Sequence, residues 1–362
     1  MQKTTLTIAA SLLASVSTAA SAHEKLYIYN WADYFGETTI ADFEAEFGID
    51  VVYDTFSSND VLETKLLAGG SGYDVVFPSS ERVGKQIEAG AYQPLDIPKL
   101  TNIGNVDPQF LGVAASVDRG NQYTVPYTWG TLGIYVDNTE VADRMPDAPI
   151  DSWEVIFNPE IVKRFADCGF FVQNSSSELI PAALTYLGRE PGSVEAEDLD
   201  AAMNLLNGIR PYLLHSDNSR VISDIATGET CLGVVYNGDV GIAYLRADEA
   251  GRELDISYSV PKEGTDMFMD VMAIPVDAPN PDAAHKFINY ILRPEVAAGI
   301  TNYVYYANAN AAATDLVIED VRMDPGTYPP ADLRKKLYGI PNYPVEFARI
   351  VNRKWTRLMS GQ

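Results

Sequence analysis

Histidine, cysteine and positive charge are all scarce in this chain, and each scarcity narrows what it can do. Three histidines, His23, His215 and His285, are scattered over 362 residues, and none lies in a recognisable catalytic or metal-ligand motif. There is no G-x-S-x-G turn, so an enzyme of that type is excluded, and no metal or cofactor is expected. Lys and Arg number 26 against 50 Asp and Glu, a formal net charge of −24. Nucleic-acid binding rests on Lys and Arg neutralising phosphates, so the balance argues against that partner and would attract cationic solutes. General solubility accounts for the same excess. Beyond the N-terminus no apolar run approaches the roughly 20 residues that span a bilayer. Internal repeats and low-complexity tracts are also absent.

The N-terminus is patterned differently. Lys3 precedes an apolar stretch from Leu6 to Val16, and Ala20-Ser21-Ala22 places small residues before His23. This reads as a signal peptide over residues 1–22, cleaved after Ala22, with a buried N-terminal helix as the alternative. With no Cys at the cleavage site, no lipid anchor is expected there. Export to an oxidising compartment suits a bridge between the two cysteines, Cys168 and Cys231. Each opens a strand-like run, so a bridge would tie neighbouring strands at their starts; two unpaired buried thiols are the alternative.

Hydrophobic periodicity alternates between strand and helix. Lys25–Tyr29, Ile49–Tyr53 and Tyr73–Phe77 read as strands, separated by helices marked by Ile40, Phe43 and Phe47 and by Val61, Leu62 and Leu66. Helices are expected over 153–165, 178–187, 201–209, 240–250 and 283–291, with strands after each cysteine, at 256–260 and at 267–274. The tail, with Lys335, Lys336, Arg349, Arg353, Lys354 and Arg357, reads as a basic helix with a solvated face. The pattern predicts an α/β fold of mostly parallel sheet flanked by helices, in a chain long enough for two lobes.

Ligands of open α/β sheets sit outside the carboxyl ends of the strands. That rule selects Trp31, Asp33 and Tyr34 after the first strand, Ser79 and Glu81 after the third, Glu178 beyond the Cys168 strand, and Tyr236 and Asp239 after the Cys231 strand. Carboxylates and aromatic rings recur there, which is the chemistry an organic cation needs. Each residue also has a structural reading. Asp33 suits a turn, Ser175-Ser-Ser-Glu178 a capping box, and Asp239 a helix N-terminus. Ser79 could cap a helix, and Trp31 and Tyr236 could be core aromatics. Asp270 differs, because all its neighbours in Met267-Phe-Met-Asp-Val-Met-Ala-Ile274 are apolar. Such a carboxylate should face a charged or hydrogen-bonding partner.

At these residues the chain resembles the periplasmic polyamine-binding proteins of ABC transporters, and the putrescine-binding branch in particular. The resemblance rests on Tyr29-Asn-Trp-Ala-Asp-Tyr34, Gly72-Tyr-Asp-Val-Val-Phe-Pro-Ser79, Val125-Pro-Tyr-Thr-Trp-Gly130, Gly238-Asp239, Phe268-Met-Asp270 and Tyr303-Val-Tyr-Tyr-Ala-Asn-Ala-Asn310. It implies a type II periplasmic-binding-protein fold with two lobes hinged about a ligand cleft. We expect lobe 1 over 23–129 and 250–297 and lobe 2 over 130–249 and 298–362. It also implies a periplasmic monomer that hands a polyamine to a membrane permease and is not an enzyme. Trp31 and Phe268 would flank the methylene chain, and Asp239 and Asp270 would hold one ammonium. Glu178, with Asp33 through water, would lie toward the other. Ser79, Tyr34 and Tyr306 would add hydroxyls and ring surface, and the family's cysteine pair matches Cys168 and Cys231.

Three positions depart from the putrescine-binding pattern: Ala32 for Ser or Thr, Tyr236 for Trp, and Glu81 for a small or aromatic residue. They leave the class intact, put the amine in question and make spermidine the alternative ligand. Two rival readings remain. A ferric-ion-binding protein would use Tyr305-Tyr306 as adjacent ligands but gives the Trp and Phe walls no purpose, and a periplasmic enzyme lacks a nucleophile.

Overall fold

The computed structural model describes residues 24–339 and 343–361. The N-terminal segment 1–22 with its cleavage site, and His23, lie outside the described residues.

Among the described residues, ten strands build one mixed sheet around a long central strand. β1 (Glu24–Trp31) pairs in parallel with β2 (Ile49–Phe56) and β3 (Val75–Val76). β4 (Thr124–Asp137) is 14 residues long. β5 (Phe170–Phe171) pairs in parallel with β6 (Leu213–His215) and β7 (Leu232–Tyr236). β8 (Ile256–Ser259), β9 (Met267–Ala273) and β10 (Ala307–Asn308) complete the set. The order is β2-β1-β3-β9-β4-β7-β5-β6, with β8 and β10 also pairing with β4.

β4 joins two halves. Residues 124–131 pair antiparallel with β9, and 132–136 pair antiparallel with β7. The expected parallel sheet therefore holds for β1–β3 and β5–β7 but not at the centre, where every partner of β4 runs against it. All of β4 from Thr124 to Val136 is buried, so it carries no apolar–polar alternation to mark it as a strand.

Each half has its own core. Leu26, Ile28, Phe43, Phe77, Phe287 and Ile288 pack in the first, and Leu132, Trp153, Phe157, Leu179, Leu206 and Leu232 in the second. Two segments fall differently from the expected partition at 250 and 298. β8 pairs with residues 134–137 in the second half, whereas Ile300, Val304 and Tyr306 join the first core. The helix Pro294–Val304 buries Ala297, Ala298, Ile300, Thr301 and Val304.

The expected helix over 153–165 is two short ones, Glu154–Phe157 and Pro159–Val162. Pro159 disfavours helical backbone at Asn158, which instead caps the second piece through its side chain onto the Glu160 amide. Cys168 and Cys231 form a disulfide with a Cα–Cα distance of 5.6 Å, just before the paired strands β5 and β7. The basic C-terminal helix Val345–Ser360 buries Val351, Trp355 and Leu358. Two of its cations, Arg349 and Lys354, pair with Glu346 and Asp200, as a solvated face would.

Candidate functional site

The segment after β1, the start of the helix Ser80–Glu88, β9, and the starts of the helices Ser176–Tyr186 and Asn237–Glu249 are linked through side-chain contacts. Asp270 is at the centre and only 3% exposed. The Tyr34 hydroxyl donates to one of its oxygens and the Ser79 hydroxyl to the other, both at 2.6 Å. Tyr34 in turn accepts from Thr128 at 2.8 Å, and Asn59 donates to the Ser79 hydroxyl oxygen. Burial pushes the Asp270 carboxyl up to about 6, against the lowering effect of these two hydroxyls.

Phe268 lies two residues back on β9, so it shares the Asp270 face of the strand. Its ring meets Tyr236 edge-on at 5.2 Å and Tyr306 at 5.5 Å. A glycine makes room for it. Gly130 stands opposite Phe268 in the ladder, and a Cβ there would come within 2.7 Å of the ring and 2.4 Å of the Asn237 amide oxygen. Gly238 does the same for Tyr306, whose ring would lie 2.4 Å from a Cβ. Trp31 forms another wall, anchored by its indole N–H on the Phe77 carbonyl at 3.0 Å and packed against Phe56.

Glu178 does not make the capping box that Ser175-x-x-Glu178 predicts. The Ser175 side chain makes no cap bond; it meets the Ser177 hydroxyl and draws the Glu178 carboxyl down. Glu178 turns inward, where its Oε1 accepts from the Tyr236 hydroxyl and its Oε2 is buried with no hydrogen-bond partner. Burial holds its carboxyl above the usual range. Glu81 is pushed up to about 7 by burial, reinforced by the fields of Asp270 and Glu178. Asp239 opens its helix and is likewise pushed up to about 7 by burial, while the Tyr306 hydroxyl at 3.3 Å pulls the other way.

Asp33 stands apart from the expected set. It is exposed, occupies the left-handed region with φ 53, and pairs with Arg246 at 2.6 Å. Its field acts on Asp239, and its ion-pair partner Arg246 lies on the helix that Asp239 opens. Ala32 is exposed beside it. Among the described residues, none of Asp239, Asp266, Asp270 or Glu178 forms an ion pair with a cation of the chain. Glu81 has a loose approach to Arg82 at 3.9 Å.

The adjacent tyrosines do not act together. Tyr306 reaches Asp239, whereas Tyr305 takes left-handed backbone at a helix end and lays its ring against Gly241. No cluster of three or more His, Cys, Asp or Glu suited to a metal occurs among the described residues. His215 is paired with Asp224, and His285 bridges the Pro281 carbonyl and the Asp96 amide. Sequence reasoning missed Asp266, Thr128, Asn59 and Gly130. Asp266 was within reach, because the alternation Asp266-x-Phe268-x-Asp270 puts all three on one strand face.

Residues 38–329 match the bacterial extracellular solute-binding protein family. Over 358 residues the chain is 44% identical to a putrescine-binding periplasmic protein of Pseudomonas aeruginosa, covering 98% of each. It is 43% identical to a putrescine-binding periplasmic protein of Escherichia coli, covering 98% of this chain and 97% of the relative. Among solved structures, a spermidine/putrescine ABC transporter protein of Listeria monocytogenes superimposes with a TM-score of 0.82 at 31% identity, covering 94% of this chain and all of the other.

Proposed function

The chain belongs to the bacterial extracellular solute-binding proteins, and from that premise we propose that it captures a small aliphatic polyamine between its two halves. After export and cleavage behind Ala22, it acts as a periplasmic monomer and delivers the amine to the membrane permease of an ABC importer. Its full-length relatives are named for putrescine, which is the first ligand to test.

One observation carries the reading. Carboxylates line an aromatic cleft, and among the described residues the buried Asp270 and Glu178 have no ion pair with a basic residue. Asp270, fixed by two hydroxyls and backed by Asp239 and Glu81, suits an ammonium, which must be paired when buried. Phe268, Trp31, Tyr236 and Tyr306 suit the methylenes, each worth about 0.8 kcal/mol when buried. A ring face adds roughly 0.5–2 kcal/mol of cation–π attraction. Spermidine is the second reading, favoured by the additional carboxylate of Glu81. Calorimetry of the ligand-free protein with putrescine, cadaverine, agmatine, spermidine and spermine tests the proposal. Saturable binding of at least one, with none for the isosteric uncharged diol, is expected; no binding of any amine overturns it.

A further inference from the structure

Asp266 is the least accounted-for side chain in the molecule. It has no exposed surface, and neither carboxylate oxygen has a hydrogen-bond partner among the described residues. A buried polar group left in this way is costly unless something satisfies it. The neighbouring Thr265 hydroxyl makes no hydrogen bond of normal geometry, yet it lies close enough to draw the Asp266 carboxyl down slightly, against the burial that holds it well above the usual range.

Its location ties it to the cleft. Asp266, Phe268 and Asp270 alternate along one extended segment and share a face. Asp266 also feels the fields of Glu178 and Glu81, and its own reaches Tyr236 and Tyr258. The Oε2 of Glu178 is the other buried carboxylate oxygen without a partner. The charged groups whose fields act most on Asp266 are thus Glu178 and Glu81, and among the described residues no cation pairs with it. A structural acid would be expected to carry an internal partner, as Asp118 does with three backbone amides and the Thr124 hydroxyl.

We propose that Asp266 and the free oxygen of Glu178 form an additional cation subsite beyond Phe268, which receives the terminal ammonium of a triamine-length polyamine. This rests on the polyamine reading of the cleft. Length supports it. Four residues along a strand separate Asp266 from Asp270 by about 13 Å. A four-methylene diamine spans about 6 Å between nitrogens, and a triamine of nine bonds about 11 Å, for bonds near 1.5 Å in a zigzag. The diamine reaches both carboxylates only with both hydrogen bonds drawn out in line, whereas the triamine lies alongside them.

The test is calorimetry of wild type, Asp266→Asn and Asp266→Ala with putrescine and spermidine, each in two buffers of different ionisation enthalpy. In both variants spermidine affinity should fall at least tenfold while putrescine changes less than threefold. The extra proton that spermidine releases from the wild type relative to putrescine should disappear. Ligand-free melting temperatures confirm that the variants fold. Unchanged spermidine affinity overturns the subsite, as does an equal loss for both amines, which would make Asp266 a support for the common ammonium site. If wild type binds neither amine, the polyamine reading itself fails and the subsite with it.

Discussion

Replacing Asp270 with Asn separates binding from folding. The substitution keeps the shape and an acceptor for one of the two hydroxyls of Tyr34 and Ser79 that lie 2.6 Å from the carboxylate, but it removes the charge. Removing one partner of a buried ion pair costs about 3–5 kcal/mol, so putrescine affinity should fall by roughly two to three and a half decades at about 1.4 kcal/mol per decade. Phe268→Ala removes a ring contact worth about 0.5–2 kcal/mol, at most about one and a half decades. The ligand-free protein should respond differently. Burial pushes the Asp270 carboxyl up to about 6, above its value in an unfolded chain, so above that pH its charge opposes folding. At pH 8 the Asn variant should melt no lower than wild type. Calorimetry gives the affinities and differential scanning calorimetry the stabilities. A greater affinity loss from Phe268→Ala than from Asp270→Asn would refute the reasoning that charge outweighs the ring.

Acid should weaken binding. Asp239 and Glu81 are pushed up to about 7 and Asp270 to about 6, so protons compete with the amine between pH 8 and 5. These same groups make the folded state take up protons that the unfolded chain does not bind until near pH 4, so they add stability as pH falls. The melting-temperature gain from saturating putrescine should therefore shrink from pH 8 to 5.5; a gain that grows would contradict the assignment. Gly130→Ala should displace Phe268, whose ring lies 2.7 Å from the added carbon, and lower putrescine affinity at least tenfold by calorimetry, with unchanged affinity counting against the packing argument. Replacing both Cys168 and Cys231, 63 residues apart, with Ser should cost about 4 kcal/mol in the chain-entropy model, read as a lower urea midpoint. An unchanged midpoint would show that the bridge does not constrain the unfolded chain.

Much of the fold was legible because local signals agreed. Ser58 caps the helix Asn59–Leu67 through the Val61 amide, and Phe43 and Thr39 bury one face of the helix Thr39–Phe47. β4 was not legible, since a strand buried on both faces loses its period of two. In the candidate site, rings and acids picked from strand ends lie close together in the fold, and Asp270 stood out against apolar neighbours. The inward turn of Glu178 was hidden by a local motif that suited a cap equally well. Asp33 looked like a cleft ligand, but its pairing with Arg246, 213 residues away, is invisible to any local pattern. Gly130 could not be recognised, because its reason is a ring that meets it only across the sheet.

The placement of β9 between β3 and β4 has a consequence for biosynthesis. Until residues 267–273 emerge, the sheet of the first half has a missing central member, since Val76 must pair with Ala273 and Trp129 with Met269. By then nearly all of the second half has left the ribosome. Pairings this distant in sequence form slowly, so the first half cannot close early during translation.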